Sequence, residues 1–471
     1  MEILVLEAST SSAKAMLYHT ADNSFEIACQ AYDKNCGNGA VQNAEAVYES
    51  MISAGKKLLS GRHVDIITLC GVWHSVMLCR KDMKPASPVY QWTYGGAKEL
   101  CSKLRSDKDY PNTYYQKTGC MVNAVYPFFK LLLMKEQGIN LSEYYIHGQG
   151  SYNTYRMTHK RVLTDCMASG SGLLNIHTKN FDTDLLTELG VSAEQFGNLT
   201  QYNSIHPLCK EAAAALGVKE GIPVISANPD GGLNQAGEGA LRKGVMTFSV
   251  GTSGAIRLST AQPALPDKPS TWCYLSLKNW LSGAATNGCG ICIDWFYNQV
   301  NKKVLSYTEL EQNTGITEHS PAFLPFIFGE RCPGWNDERK GGFAGLAPDH
   351  GLQDMYLAVQ EGVLFNLYQC YRILTDLNGS PEHIRLSGGI LHSEKWTQMC
   401  ADIFNHEMEI GYSEHGSLLG GAVVAMEALG ILDDVQNYRP DIRHKVQPDE
   451  KKRALYEKRF QRYEALYNTG F

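Results

Sequence analysis

One local pattern occurs twice in the chain, with the two copies about half its length apart. Near the start, apolar residues 3–6 lead into the small, polar run Glu7-Ala8-Ser9-Thr10-Ser11-Ser12, and a second apolar stretch follows. Past the midpoint, residues 245–250 lead into Gly251-Thr252-Ser253-Gly254 and again into an apolar stretch. Small residues let the backbone approach a ligand closely, and clustered amides and hydroxyls can surround phosphate oxygens. The pair therefore predicts two related domains that hold one nucleotide between them.

The segments between the two copies alternate between strand-like and helix-like patterns. Residues 44–59 have helical spacing of apolar side chains, and residues 221–227 form an apolar run that ends at Asn228-Pro229-Asp230-Gly231-Gly232, with a helix expected over 233–241. Such alternation predicts an α/β architecture. Arg242-Lys243-Gly244 interrupts the pattern before the second copy, so we expect an N-terminal domain over residues 1–243 and a C-terminal domain over 244–471, with a cleft between them.

Composition excludes several classes of function. The 471 residues are 44% apolar and carry a net charge of −6, so no basic surface predicts binding to nucleic acid. No apolar run is long enough to cross a membrane, and the stretch after Met1 is too short for a signal peptide. The fourteen cysteines are scattered through apolar segments. Buried thiols of this kind are typical of a reducing cytosol, so we expect a cytoplasmic protein.

Cys289 and Cys292 form a C-x-x-C pair, which is also found at zinc and redox sites. A zinc site needs about four ligands, and no second close pair lies at ordinary spacing. The pair opens an apolar helix, which favours packing, while redox or metal chemistry stays as the alternative.

Asp230 is the first candidate for chemistry, because it follows an apolar strand and precedes a helix. Ligands of open α/β sheets collect at the carboxyl ends of the strands. A carboxylate there can accept the proton of a hydroxyl that attacks a phosphorus atom. The alternative interpretation is a helix N-cap, and the two roles can coexist.

Three further segments allow two interpretations each. Ser387-Gly388-Gly389, between a strand and a helix, would admit a flat adenine or simply form a turn. His74 beside a strand is either a ligand-binding residue or a structural histidine. Glu330-Arg331 is either a salt-bridged surface turn or an element of domain closure.

Taken in order, these segments resemble the FGGY family of carbohydrate kinases, whose members share two actin-like (ribonuclease H-like) domains. The resemblance extends over nearly the whole chain. Among subgroups, Trp73-His74-Ser75 and the string from Gly251 to Arg257 are most similar to gluconate kinases, with xylulose kinases next. The remaining matching segments are residues 7–14, 169–174, 229–231, 323–335, 341–346, 361–362, 387–396 and 420–422.

Carried over by position, the resemblance implies roles for specific residues. ATP and Mg²⁺ would be required, with the metal bridging the β- and γ-phosphates. Domain closure would exclude water, which competes with the sugar as nucleophile. The implied site comprises Asp230 as general base; Thr10, Ser11, Lys14, Gly251 and Thr252 at the phosphates; Gly290, Gly389 and Ser393 around the adenosine; and Trp73, His74 and Tyr126 in the sugar pocket.

The chain departs from the family pattern at two places. The first hairpin of the family has an aspartate oriented towards magnesium and its waters, and here Glu7 takes that position. The family also has Trp-x-Asp-x-Arg for substrate hydroxyls, whereas this chain has Trp92-Thr93-Tyr94-Gly95-Gly96, with Tyr94 in place of the acid. We therefore expect a substrate with fewer hydroxyls or an apolar group near Tyr94. Arg156, Lys160 and Arg161 are candidate replacements for the missing cation.

The function that these observations favour is ATP-dependent phosphorylation of a hydroxyl on a sugar or sugar acid, either gluconate-like or a related polyol or ketose. The first alternative is a catalytically silent relative that binds nucleotide or sugar. The second keeps the fold and changes the acceptor, as in acetate kinases or chaperone-type ATPases. The expected partner is the small-molecule substrate, and both a monomer and a homodimer stay open.

Overall fold

Two mixed β-sheets form the centres of the two halves of the chain in the computed structural model, which describes residues 1–312, 315–412 and 415–470. The strands of the first half are β1 (Glu2–Ala8), β2 (Ser12–His19), β3 (Ser24–Ala31), β4 (Val41–Gln42), β5 (Ile66–Gly71), β6 (Met77–Cys79), β7 (Val89–Tyr90), β8 (Tyr145–His147), β9 (Val162–Thr164), β10 (Leu174–Asn175), β11 (Asn180–Phe181), β12 (Asn198–Thr200), β13 (Ile205–Pro207) and β14 (Pro223–Pro229). Its helices are α1 (Ala44–Leu59), α2 (Lys98–Arg105), α3 (Tyr110–Thr118), α4 (Pro127–Glu136), α5 (Gln149–Thr158), α6 (Asp165–Ser169), α7 (Thr183–Leu189), α8 (Lys210–Leu216) and α9 (Asp230–Gly237).

The second half is built from fewer and longer elements. Its strands are β15 (Val245–Val250), β16 (Gly254–Thr260), β17 (Trp272–Leu275), β18 (Trp280–Thr286), β19 (Ala322–Leu324), β20 (Gly342–Ala344), β21 (His383–Ser387), β22 (Met408–Gly411) and β23 (Ile442–Val446). Its helices are α10 (Gly290–Trp295), α11 (Tyr307–Leu310), α12 (Leu352–Asn378), α13 (Glu394–Phe404), α14 (Gly416–Ala428) and α15 (Arg453–Thr469). No helix in the part of the chain that the structure describes has the length and apolar composition of a membrane span.

The two sheets share the order of five strands, β3-β2-β1-β5-β14 in the first and β18-β16-β15-β21-β22 in the second, to which β13 is added in the first sheet and β17 and β23 in the second. The first sheet runs β13-β14-β5-β1-β2-β3, and the second runs β17-β18-β16-β15-β21-β22-β23. In both, the first strand of a hairpin pairs antiparallel with its partner on one side and parallel with a later strand on the other. The repeated hairpin of the sequence thus marks the same position in two related sheets. The predicted two-domain α/β fold is confirmed.

Strand β1 is buried on both faces, which explains its unbroken apolar sequence. Successive side chains of a strand point to opposite faces. Leu4 and Leu6 pack with the apolar face of α1, whereas Ile3 and Val5 pack with α14 from the second half. The helix predicted over residues 44–59 is confirmed with those bounds.

Helices α9 and α14 form the main contact between the two halves. They approach so closely that a Cβ atom on Gly420 would lie 1.8 Å from the carbonyl oxygen of Leu233. The hydroxyl of Thr247 in the second sheet donates a hydrogen bond to Gln235 of α9. Helix α9 therefore contacts both the helix that crosses from the second half and the second sheet itself.

The start of α9 differs from the sequence prediction, which placed the helix over residues 233–241. The helix spans Asp230–Gly237, because Pro229 has the extended conformation of an N-cap (φ −73°, ψ 140°) and the next residue already continues the helix. A proline cannot donate a backbone hydrogen bond, so it suits the position just before a helix. As a result, Asp230 is the first helical residue.

Candidate active site

A cavity of about 410 Å³ lies between the two halves of the chain. Volumes of this size are typical of small-molecule sites. The first hairpin contributes Ser9, Thr10 and Lys14 to its lining, and the second contributes Ser253 and Gly254. The two related turns therefore face one shared space.

Asp230 lines this cavity at the carboxyl end of β14. Its Oδ1 atom accepts hydrogen bonds from the backbone N–H groups of Gly231 (2.7 Å) and Trp73 (3.5 Å). Burial, together with the nearby charge of Glu7, raises the pKa of Asp230 to about 6. The alternative interpretation as an N-cap is wrong, since Pro229 holds the cap position. A half-buried carboxylate with this pKa can act as a base near neutral pH.

Glu7 lies at the end of β1, directly opposite Lys14 in the β1–β2 ladder. Its Oε1 atom accepts hydrogen bonds from the Ser417 hydroxyl (2.9 Å) and the Cys70 thiol (3.4 Å). Its Oε2 atom lies 3.5 Å from the Lys14 ammonium and has no hydrogen-bond partner among the described residues. A buried carboxylate oxygen with spare acceptor capacity fits an oxygen-preferring cation such as Mg²⁺.

Trp73 and His74 form one wall of the cavity. The Trp73 indole donates to the Cys166 carbonyl (2.9 Å), and His74 Nδ1 lies 2.5 Å from the Gly170 carbonyl. Because a carbonyl only accepts, Nδ1 must carry the hydrogen, which leaves Nε2 as an acceptor. Burial lowers the pKa of His74 to about 3, so the ring is neutral at physiological pH. His74 is therefore fixed as a neutral hydrogen-bond acceptor.

Two tyrosines lie on the aromatic side of the cavity. One of them lines the cavity, and the other supports it from behind. Tyr274 lines the cavity and stacks on Trp272 with ring centroids 4.4 Å apart. Tyr126, which the sequence placed in the sugar pocket, is fully buried behind it, with the two hydroxyls 2.7 Å apart. Tyr126 thus orients Tyr274, whose strand β17 lies outside the motifs of the sequence.

Tyr94 does not reach the cavity. Its ring lies 4.6 Å from that of Tyr90 and folds over Gly96, where a Cβ atom would be 2.3 Å from the Tyr94 hydroxyl. Trp92 lines the cavity instead, and its indole donates to the Thr10 hydroxyl (3.1 Å). The Tyr94 ring therefore occupies the space that a side chain at position 96 would need, and it lies outside the cavity, whereas Trp92 of the same loop faces it.

The cations proposed as replacements also lie elsewhere. Arg156 pairs with Glu45 and lies 4.2 Å above the Tyr48 ring. Arg161 lies 3.3 Å from the centre of the Tyr145 ring, and Lys160 is exposed. None of the three lines the cavity, because local aromatic and acidic partners hold the two arginines.

Arg257 and Arg331 supply the guanidinium groups of the cavity. The sequence identified Arg257 only as part of the second hairpin. It left Arg331 as either a surface turn or a closure element, and the structure excludes a salt bridge between Glu330 and Arg331, since Glu330 pairs with Arg339. The signal available in the sequence was that the second strand of each hairpin carries one cation, Lys14 in the first and Arg257 in the second.

The other predicted nucleotide residues lie beside the cavity. The Gly290 N–H donates to the Gly251 carbonyl (2.8 Å), so this residue lies against the second hairpin, where Thr252 is exposed. Gly389 is also exposed, and a Cβ atom on it would lie 3.7 Å from the carbonyl of Val250 at the end of β15. Two further predicted residues also lie outside the cavity lining: the exposed Ser11 of the first hairpin and Ser393, whose hydroxyl caps α13.

Cys289 and Cys292 are buried at the start of α10, where Cys292 faces the segment after β19. The Cys292 thiol donates to the Pro325 carbonyl (3.6 Å), and both cysteines are free. Packing of this kind agrees with the interpretation that the sequence favoured.

The chain is similar to characterised kinases over nearly its whole length. It is 26% identical over 455 residues to the gluconokinase of Bacillus subtilis (strain 168), covering 92% of this chain and 88% of that one. Among solved structures, xylulose kinase from Lactobacillus acidophilus superposes with a TM-score of 0.94 at 26% identity, covering 99% of this chain and 98% of that one. Gluconate kinase from the same organism gives a TM-score of 0.93 at 26% identity, with the same coverage.

Two family models match in the order of the two halves. Residues 3–237 match the N-terminal domain of the FGGY family of carbohydrate kinases, and residues 246–429 match its C-terminal domain. The chain belongs to the FGGY family of carbohydrate kinases.

Proposed function

We propose that this kinase transfers the γ-phosphoryl group of ATP to a hydroxyl of a sugar or sugar acid, with Asp230 as the general base. The observation that carries the proposal is the position of Asp230 in one cavity with both small-residue hairpins and an aromatic wall. Relatives named as gluconokinase and xylulose kinase support a gluconate-like acid or a related polyol or ketose as the acceptor.

The chemical step follows from the protonation state of Asp230. Its pKa of about 6 leaves most of the carboxylate ionised at neutral pH. The acceptor hydroxyl donates its proton to Asp230 while its oxygen bonds to the γ-phosphorus and the bond to ADP breaks. His74 Nε2 accepts a hydrogen bond from a second hydroxyl, and the flat faces of Trp73 and Tyr274 pack against the carbon skeleton.

Binding of the nucleotide is assigned to the two hairpins. Thr10, Ser11 and Lys14 would contact the phosphates from one side, and Gly251 and Thr252 from the other, with Gly290, Gly389 and Ser393 around the adenosine. Glu7 would hold Mg²⁺ through water, and the metal would neutralise charge on the phosphates. We place the domain boundary between Lys243 and Gly244, within the gap between the two matched family models.

A coupled ADP-release assay over aldonates, polyols and ketoses tests this function. We expect acceptor-dependent ADP release with at least one member of the panel and a kcat of about 1–100 s⁻¹, the range of kinases. Tight ATP binding without turnover on any member would contradict the proposal and favour the silent relative.

A further inference from the structure

The cavity contains more positive charge than its own carboxylates balance. Its lining includes Lys14, Arg257 and Arg331 against Glu7 and Asp230. Lys14 lies 3.5 Å from Glu7. One cation therefore has no acidic counterpart within the cavity.

Of the remaining two cations, Arg257 is the one whose charge acts on Asp230. Its Nε atom lies 3.8 Å from the position that a Cβ atom on Gly231 would take, directly beside the catalytic residue. Burial lowers the pKa of Arg257, while the Asp230 charge acts in the opposite direction. Arg257 is thus placed to stabilise the ionised base.

Arg331 is the cation that is left over. It has no ion pair with a carboxylate among the described residues, although it lines the same cavity. Its neighbours there are aromatic groups and a second cation. Its charge adds to the effect of burial in lowering the pKa of His74, counteracts burial in its effect on the pKa of Tyr274, and disfavours the charged form of Arg257. A guanidinium in such a setting lacks the anion that it normally binds.

The loop that carries Arg331 is held firmly. Glu330 is 2% exposed, and its carboxylate accepts hydrogen bonds from the Gly334 N–H (2.9 Å), Arg339 (3.3 Å) and the Tyr467 hydroxyl (2.5 Å). The Arg331 carbonyl accepts from the Trp335 N–H (2.6 Å). Because the Glu330 carboxylate already has these three partners, Arg331 does not form an ion pair with it. The side chain of Arg331 instead lines the cavity.

We infer that the acceptor is a polyhydroxy acid of the aldonate class, and that Arg331 binds its carboxylate while another of its hydroxyls meets Asp230. This inference rests on the proposed function and narrows it. A bidentate guanidinium–carboxylate pair would balance the surplus charge. A neutral ketose or polyol would leave a partly buried guanidinium unpaired, which is unfavourable. The absence of the family's Asp and Arg from positions 94 and 96 fits a site in which the second domain supplies the cation that binds the acceptor.

Phosphate offers the same chemistry as a carboxylate, so the γ-phosphate of ATP is the competing ligand of Arg331. The two sources are separable, because loss of a carboxylate contact changes the kinetic constants of the acceptor, whereas loss of a phosphate contact changes those of ATP.

The experiment compares D-gluconate and D-xylonate with their amides, which keep every hydroxyl and lack the charge, and with neutral polyols and ketoses. For the wild-type enzyme we expect kcat/KM to be at least about 100-fold higher for an aldonate than for its amide. Equal use of acid and amide, or preference for a neutral ketose or polyol, would overturn the inference while leaving the kinase function intact. No turnover of any acceptor would instead remove the proposed function.

Variants of Arg331 then assign the effect to this residue. Arg331→Gln should lower kcat/KM for the aldonate to the level of the amide, change the amide less than about threefold, and leave the KM for ATP unchanged. Arg331→Lys keeps the charge and should stay at least about tenfold better on the acid than Arg331→Gln. The exposed Arg443→Gln on β23 is the matched control.

Three results would overturn the assignment. These are an equal loss on acid and amide, identical behaviour of the Lys and Gln variants, and a raised KM for ATP with the preference for acid retained. Calorimetric ATP binding by each variant verifies that the fold is intact. The wild-type comparison of acid with amide stands even if one variant does not fold.

Discussion

At the scale of single residues, the site depends on the carboxyl group of Asp230, whose surroundings disfavour its ionised form. Burial and the charge of Glu7 both favour the protonated form of Asp230, while the Gly231 N–H and Arg257 favour the ionised form. The balance places its pKa at about 6, above the 3.8 of an ordinary aspartate. A base with a raised pKa holds the abstracted proton more strongly, which suits proton transfer from a sugar hydroxyl.

This pKa predicts the pH dependence of the reaction. Because only the ionised carboxylate can accept a proton, kcat/KM should fall about tenfold per pH unit below about 6 and level off above it. His74 does not titrate in this range, since its pKa is about 3. The measurement is kcat/KM from pH 4.5 to 8, with the unfolding midpoint recorded at each pH as the control. A flat profile across pH 5 to 7 would contradict the assignment.

At the scale of secondary-structure elements, the close contact of α9 with α14 joins the two domains. Glycine at position 420 allows this contact, because any side chain there would collide with the backbone of Leu233. Just beyond the start of α14, Ser417 donates its hydrogen bond to Glu7 of the other domain. The helix pair thus sets both the spacing of the domains and the orientation of the Glu7 carboxylate.

Gly420→Ala should therefore destabilise the fold. Overpacking of a close contact costs typically about 1–3 kcal/mol, and backbone on the opposing side cannot move aside as a side chain can. The measurement is the urea midpoint at constant m-value. Gly351→Ala is the matched control, since its added methyl would meet only Asp354 Oδ2, at 3.8 Å. Equal midpoints for the two variants would show that the helices have room to separate.

Elements with a strong local pattern were predictable from the sequence. The repeated hairpin identified the two sheets, and the periodicity of α1 identified a helix with the observed bounds. Both were predictable because the side chains on a buried face are apolar and recur at the period of the helix or strand. The prediction placed the start of α9 three residues too late. Two consecutive glycines are typical of a turn, but here they belong to the first turn of the helix that Pro229 caps.

At the scale of the whole molecule, the cavity is assembled from residues far apart in the chain. Arg331 and Tyr274 come from a loop and a strand whose local sequences resemble ordinary surface turns and core strands. Tyr94 was assigned to the site by its position in a family pattern, yet its ring packs at a tilt against that of Tyr90, outside the cavity lining. Motifs identified the two hairpins and Asp230 that line the cavity, whereas only the packing of the two domains reveals which cations and aromatic groups face them.

The central claim is that Asp230, at the junction of the two domains, takes the proton of the acceptor hydroxyl. The most direct test is the turnover of Asp230→Asn with the best acceptor of the wild-type enzyme, alongside calorimetric ATP binding and the exposed Asp349→Asn as control. We predict a dissociation constant for ATP within about threefold of wild type and a kcat lower by about 10²–10⁴, the contribution of a positioned base. ATP binding with turnover within about tenfold of wild type would contradict the account.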